Sequence, residues 1–257
     1  MDTNLAPVYR PDLSLRGKLR RRTVRLQHRR PASGRLARPM VSFAFDDAPA
    51  TAITVGGKIL QDRGVRGTYF IAAGLAGQSG HMGRFADRDE IAGAAGNGHE
   101  IACHTFSHLD CGRANADAVA GDIDRNLAVL EAWGLPRPTT FAYPYGDVSA
   151  GAKDVAARRF SLSRGLHHGV LKHGADLNQA PAVGIEGDVG EAVARRWLAV
   201  AAAQKAWLIL FTHGVEVRRS EFSADEAGFT RLVDEAIATG FDVVTVGEGA
   251  RRLLQAD

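Results

Sequence analysis

The chain predicts a single closed α/β barrel of seven or eight strand-then-helix units. Three observations carry this. From residue 38 onward, short apolar runs alternate with amphipathic stretches, an order that builds a mostly parallel sheet. No Pro/Gly/Ser-rich linker or internal repeat divides those units. In such barrels the working residues stand at the C-terminal ends of strands. Asp46-Asp47, His104, Tyr143–Gly146 and His213 each lie just past an apolar run.

The run Val41-Ser-Phe-Ala-Phe45 marks the first strand, read at Pro39–Phe45, and the amphipathic stretch Ile53–Arg63 the first helix. A strand at Thr68–Ala72, a helix at Arg88–Gly96, a strand at Glu100–Cys103 and the long helical pattern Ala116–Trp133 follow. Thr140–Ala142, Phe160–Ser163 and Val183–Ile185 read as strands, with helices at Ala150–Arg158 and Val189–Gln204 among them. The pattern closes with strands at Leu208–Thr212 and Asp242–Val246 and helices at Ala224–Thr239 and Gly247–Leu254. This divides the chain into a basic N-terminal arm, residues 1–37, and a barrel, residues 38–257.

Composition fits that picture: 257 residues, 45% hydrophobic and 24% charged, are enough for one large core. No stretch approaches the roughly 18 apolar residues of a membrane span. The start lacks the apolar core of a secretory signal, so the expected location is the cytoplasm, with reduced thiols at Cys103 and Cys111. Charge is uneven. Residues 1–40 hold eleven Lys/Arg against Asp2 and Asp12, a net of +9, which leaves −6 for the rest of a +3 chain. Such an arm suits an anionic membrane surface, or docking on the acidic body of its own or another subunit, which leaves a homo-oligomer open. No aromatic residues interleave the arginines, so nucleic acid is not an expected partner.

Asp46-Asp47 and His104-Thr-Phe-Ser-His108 carry the chemistry. A metal-dependent hydrolase needs about three protein ligands, an open position, and a free carboxylate that takes the water's proton. Each motif alone is weak: strand-end aspartates also cap helices, and histidines four apart occur on surface helices by chance. His99-Glu100 does not complete a His-Glu-x-x-His site, because the next histidine is His104. His28, His81, His99, His167, His168 and His173 have no site context and read as surface or structural.

Together, Phe45-Asp46-Asp47, His104-Thr105-x-x-His108, Tyr143-Pro144-Tyr145-Gly146 and Leu210-Phe211-Thr212-His213 resemble the successive motifs of the polysaccharide deacetylases. These are the NodB-homology enzymes of carbohydrate esterase family 4. The resemblance covers about residues 40–250, and the motifs look like those of a bacterial subgroup that includes cytoplasmic holdfast and exopolysaccharide deacetylases. It implies a distorted (β/α)7-8 barrel and a divalent ion, zinc first and cobalt or nickel next, held by Asp47, His104 and His108. It makes Asp46 the general base, and puts a backbone N–H near Tyr145 on the oxyanion. His213 becomes the acid for the leaving amine, a task its unperturbed pKa near 6.5 suits. The implied reaction is hydrolysis of a linear C–N amide in an acetylated amino-sugar polymer or lipid-linked oligosaccharide, met at the inner membrane face. Phe106, Tyr143 and Tyr145 are candidates for stacking on a sugar ring, and Thr105 for support of the histidine loop. The other readings are an O-acetyl esterase and a glycan-binding barrel without turnover.

Two places depart from the family. Ala48 stands where glycine is usual, and Ala142 where an arginine normally braces the base. Arg164, on the neighbouring strand, is expected to reach Asp46 instead. The carboxylate that orients His213 is left open among Asp176, Glu186 and Asp188.

Overall fold

The structure is a computed structural model that describes residues 14–218 and 220–255. Its main sheet has eight strands: β1 (Met40–Asp46), β2 (Thr68–Ile71), β3 (Glu100–Cys103), β4 (Thr140–Ala142), β5 (Leu162–Arg164), β6 (Val183–Gly184), β7 (Trp207–Thr212) and β8 (Asp242–Val243). Their pairing is parallel, in the order β5-β4-β3-β2-β1-β7-β6. β1 takes β7 on one edge; its other edge is shared by β8, opposite Met40 and Val41, and β2, opposite Ala44 to Asp46. The ends of the sheet meet at a parallel bridge between Arg164 and Ala180, where the Gly165 N–H donates to the Ala180 carbonyl at 2.9 Å. The result is a distorted (β/α) barrel.

Strand periodicity sorts the side chains. Val41, Phe43 and Phe45 face outward into a core shared with Ile59, Leu60 and Phe229. Met40 and Ala44 face the interior with Phe70, Ala102, Ala142, Leu162, Ile209 and Phe211. Since successive residues alternate, the position two beyond an inward residue also faces in. Asp46, His104, Arg164 and His213 follow Ala44, Ala102, Leu162 and Phe211 by two. Four chemical groups therefore converge on the C-terminal mouth.

Helices α1 (Leu15–Thr23), α2 (Lys58–Asp62), α3 (Arg88–Gly96), α4 (Ala116–Ala132), α5 (Ala150–Ala157), α6 (Gly190–Gln204), α7 (Glu226–Ala238) and α8 (Val246–Gln255) complete the fold. Most boundaries differ from the sequence reading by a residue or two, and three of the differences have a visible cause. The first helix opens as a wide π-type turn, Ala52–Gly57, where a Cβ on Gly57 would meet the Tyr69 hydroxyl at 2.6 Å. β5 sits later than expected, ending on Arg164, because it pairs with β4 through Thr140–Leu162 and Ala142–Arg164. β8 is cut to two residues because α8 begins at Val246.

The arm's first thirteen residues lie outside the described residues. The remainder docks on its own barrel. Ser14 caps α1 through the Gly17 N–H at 3.1 Å, and Val24 and Ala32 are buried in the core. The Arg30 guanidinium donates to the carbonyls of Ala157, Phe160 and Ser161. Among the described residues no helix is long and apolar enough to cross a membrane.

Candidate active site

Neighbouring residues of an extended chain point to opposite faces, so Asp46 and Asp47 share one site only if the strand breaks between them. It does. Asp47 and Ala48 adopt left-handed backbone, φ 57° and 50°. Thr105, His108 and Tyr145 do the same at 60°, 56° and 60°. Each such residue costs about 1–2 kcal/mol, and all five border one mouth.

Asp47, His104 and His108 each bring a ligand atom within 4.8 Å of the others. Asp47 Oδ1 lies 3.4 Å from His108 Nε2 and 3.7 Å from His104 Nε2. Two donors about 2.1 Å from a tetrahedral ion stand about 3.4 Å apart, so the spacing fits. The His104 Nδ1–H donates to the Ala142 carbonyl at 2.8 Å, which leaves the Nε2 lone pair facing Asp47. Burial holds both imidazoles at about 4, hence neutral near pH 7. Burial also pushes the Asp47 carboxyl upward, against the pull of His104 and His213. Asp47 Oδ1 is buried with no hydrogen-bond partner. A buried acceptor without a donor, facing an imidazole lone pair, is the environment a cation would satisfy.

Asp46 is tied to Arg164 by a very short ion pair, with both side chains buried. Burial alone would raise the Asp46 pKa, but Arg164, His104 and His213 outweigh it and hold the carboxyl below its usual range. Arg164 stands directly across from Ala142 in the β4–β5 register. Its guanidinium lies between the Phe70 and Phe211 rings, 4.6 and 4.9 Å from their centroids. The small side chain at 142 and the cation at 164 thus sit at one level of the barrel.

His213 Nδ1 lies 2.5 Å from Glu186 Oε1, which also accepts the His213 backbone N–H at 2.8 Å. Burial lowers the imidazole pKa, but the Glu186 contact overrides it and raises the value to about 9. Glu186 is therefore the orienting carboxylate among the three considered, and its place two residues past β6 follows the strand-end rule. Asp176 is engaged elsewhere, with Lys153 at 2.7 Å. Tyr145 sets its ring against His108, centroids 4.4 Å apart. Tyr143 is buried, its hydroxyl donating to the Asn178 carbonyl, so it offers no face to a sugar.

The sequence reading did not single out two contributors to this geometry, Asp122 and Phe222. Asp122 on α4 accepts the Phe106 and Ser107 N–H groups at 2.9 Å each and the Ser107 hydroxyl at 3.0 Å. The Thr105 hydroxyl accepts the Leu109 N–H at 2.8 Å. These bonds hold the loop between the two left-handed residues, and no local pattern marks Asp122 for that task. At the mouth, Phe222 packs edge-on against both His81 and His213. His81, read as a surface residue, is exposed.

Residues 33–159 match the model of a family described as polysaccharide deacetylase. No curated protein matches the chain. Among solved structures, a family 4 carbohydrate esterase from Streptomyces lividans in complex with acetate is similar at 17% identity, with 80% of this chain and 91% of that one covered, TM-score 0.57. The Xyl-CE4 domain of a multidomain xylanase from the hindgut metagenome of Trinervitermes trinervoides is similar at 14% identity over 82% of this chain and 89% of that one, TM-score 0.57. A CE4 family pseudoenzyme from Bacillus anthracis is similar at 13% identity, covering 85% and 68%, TM-score 0.61. At these identities the likeness is one of fold. Because a pseudoenzyme shares it, activity has to be argued from the side chains.

Proposed function

This chain carries a polysaccharide deacetylase domain of the NodB-homology type over residues 33–159, and from that premise we propose that it is a metal-dependent N-deacetylase of an acetylated amino-sugar glycan. The observation that carries the reading is the unpartnered, buried Asp47 Oδ1 beside His104 and His108, next to an Asp46 held ionised by Arg164. Asp47, His104 and His108 would hold a divalent ion, zinc in first place. Such an ion would supply Lewis-acid polarisation of the acetyl carbonyl and would acidify a water.

The chain's own groups then divide the proton work. Asp46, charged at neutral pH, takes the proton of the attacking water. The Tyr145 N–H is the donor we assign to the developing oxyanion. His213, kept protonated by Glu186, delivers its proton to the leaving amine nitrogen, which departs poorly as an anion. The products are a free amino sugar and acetate. An acid protonated well above neutrality serves an amide more than an ester, which favours N- over O-deacetylation. The substrate is an exopolysaccharide or holdfast-type glycan, or its lipid-linked precursor.

The test is acetate release from an N-acetylglucosamine oligomer by protein stripped with chelator and resupplied with zinc. Release that returns with zinc and is absent in Asp47→Ala supports the reading. Faster cleavage of a substrate bearing only acetate esters transfers it to the esterases. Zinc bound one per chain, with neither substrate cleaved, leaves a binding barrel.

A further inference from the structure

We propose that the outward face of α1 and the turn after it is a docking surface for an anionic lipid bilayer. Seven large apolar side chains are exposed among the described residues, and three are leucines of this one segment: Leu15 at 85%, Leu19 at 63% and Leu26 at 78%. At 3.6 residues per turn, Leu15 and Leu19 of α1 fall on one side with positions 18 and 22 beside them, and Leu26 is exposed at the end of the 3-10 turn Val24–Leu26 that follows. Lys18, Arg22 and Arg25 are exposed as well. The outer stripe therefore alternates leucine with cation.

The inner side accounts for why this face looks outward. Gly17 and Val24 are buried. Arg20 pairs with Asp147 at 2.5 Å, and the buried Lys153 donates to the Val24 carbonyl at 2.9 Å. Pinned in this way, the leucines cannot turn inward to escape water. Asp147 directly follows the Pro144–Gly146 turn, so the platform borders the mouth of the site.

Charge and leucines together select the occupant. A polynucleotide would reward the cations and leave the leucines in water. A second copy presenting the same face would oppose cation to cation. An anionic bilayer takes both, burying the leucines at the acyl boundary while Lys and Arg reach the headgroups. The rest of the chain is acidic, with a net charge of −6 outside residues 1–40 of a +3 chain. The arm therefore carries the charge that suits such a surface. The consequence for substrate rests on the deacetylase reading: a membrane-attached acetylated sugar would meet the site at the bilayer.

The experiment is sedimentation of the full chain with vesicles of phosphatidylcholine alone and of phosphatidylcholine mixed with phosphatidylglycerol. The expected result is binding to the mixed vesicles only, falling with salt. The triple variant Leu15→Ser, Leu19→Ser, Leu26→Ser should release it. Each of Lys18→Glu, Arg22→Glu and Arg25→Glu should weaken partitioning by at least about fivefold. Acetate release in solution should be unchanged in all of them. No binding to mixed vesicles overturns the proposal. So does binding that the leucine changes leave intact, which would be plain adsorption of a polycation, as RNA would also give. A dimer in size-exclusion chromatography that the leucine changes dissolve would assign the face to a second copy. Absence of deacetylation in the wild type would overturn the function and leave the vesicle result standing.

Discussion

Arg164 and Glu186 decide the charge states of Asp46 and His213, the two groups proposed to move protons. Replacing Arg164 strands Asp46 as a buried carboxylate without its partner. Arg164→Ala should therefore lower kcat by about a hundredfold or more and cost about 3–5 kcal/mol in denaturant unfolding. Metal content by elemental analysis should stay at the wild-type value, because Asp47, His104 and His108 are untouched. Glu186 raises His213 to about 9. A general acid must be protonated, so the wild-type rate should fall as pH rises through about 9. Glu186→Gln removes the counter-charge, and that descending limb in a pH–rate profile should move toward 6.5.

The elements most exposed to strain are the loops after β1 and β3. The His104–His108 loop contains two left-handed residues and is held from α4 by Asp122. Asp122→Ala removes the oxygens that accept the two loop N–H groups and the Ser107 hydroxyl. The expected outcome is metal affinity weakened about 10–100-fold in a zinc titration of the stripped protein. Far-UV circular dichroism should be unchanged. Equal affinity in the variant would show that the loop holds its own geometry. Within the barrel, β1 is legible because five of its seven residues are apolar. The Ser79–Arg84 hairpin that carries His81 was not legible, since four paired residues leave no periodic signal.

For the whole molecule, a buried site that lacks a donor implies that cation binding is coupled to folding. Zinc at a thousand times its Kd should add about 4 kcal/mol to native-state stability. In a domain of this size that is a rise in melting temperature of roughly ten degrees over the chelated protein, read by scanning calorimetry. Asp47→Ala should abolish the difference. A melting curve indifferent to both metal and chelator would remove the metal centre from the reading.

Much of this was written in local pattern. The strand-then-helix order, the inward-facing period of two, and Asp46, His104 and His213 at strand ends are set by a few neighbouring residues, so the amino-acid order alone determined them. Register and distant contacts are decided elsewhere. That Arg164 lies across from Ala142 depends on how β5 slides along β4, and that Glu186 rather than Asp176 or Asp188 meets His213 depends on β6 lying beside β7. Asp122 meets the histidine loop only because α4 packs back over it. These partners are far apart along the chain, and side-chain type says nothing about which of several carboxylates will be nearest. Packing made that choice, since a buried cation or imidazolium is stable only where the fold brings it a counter-charge.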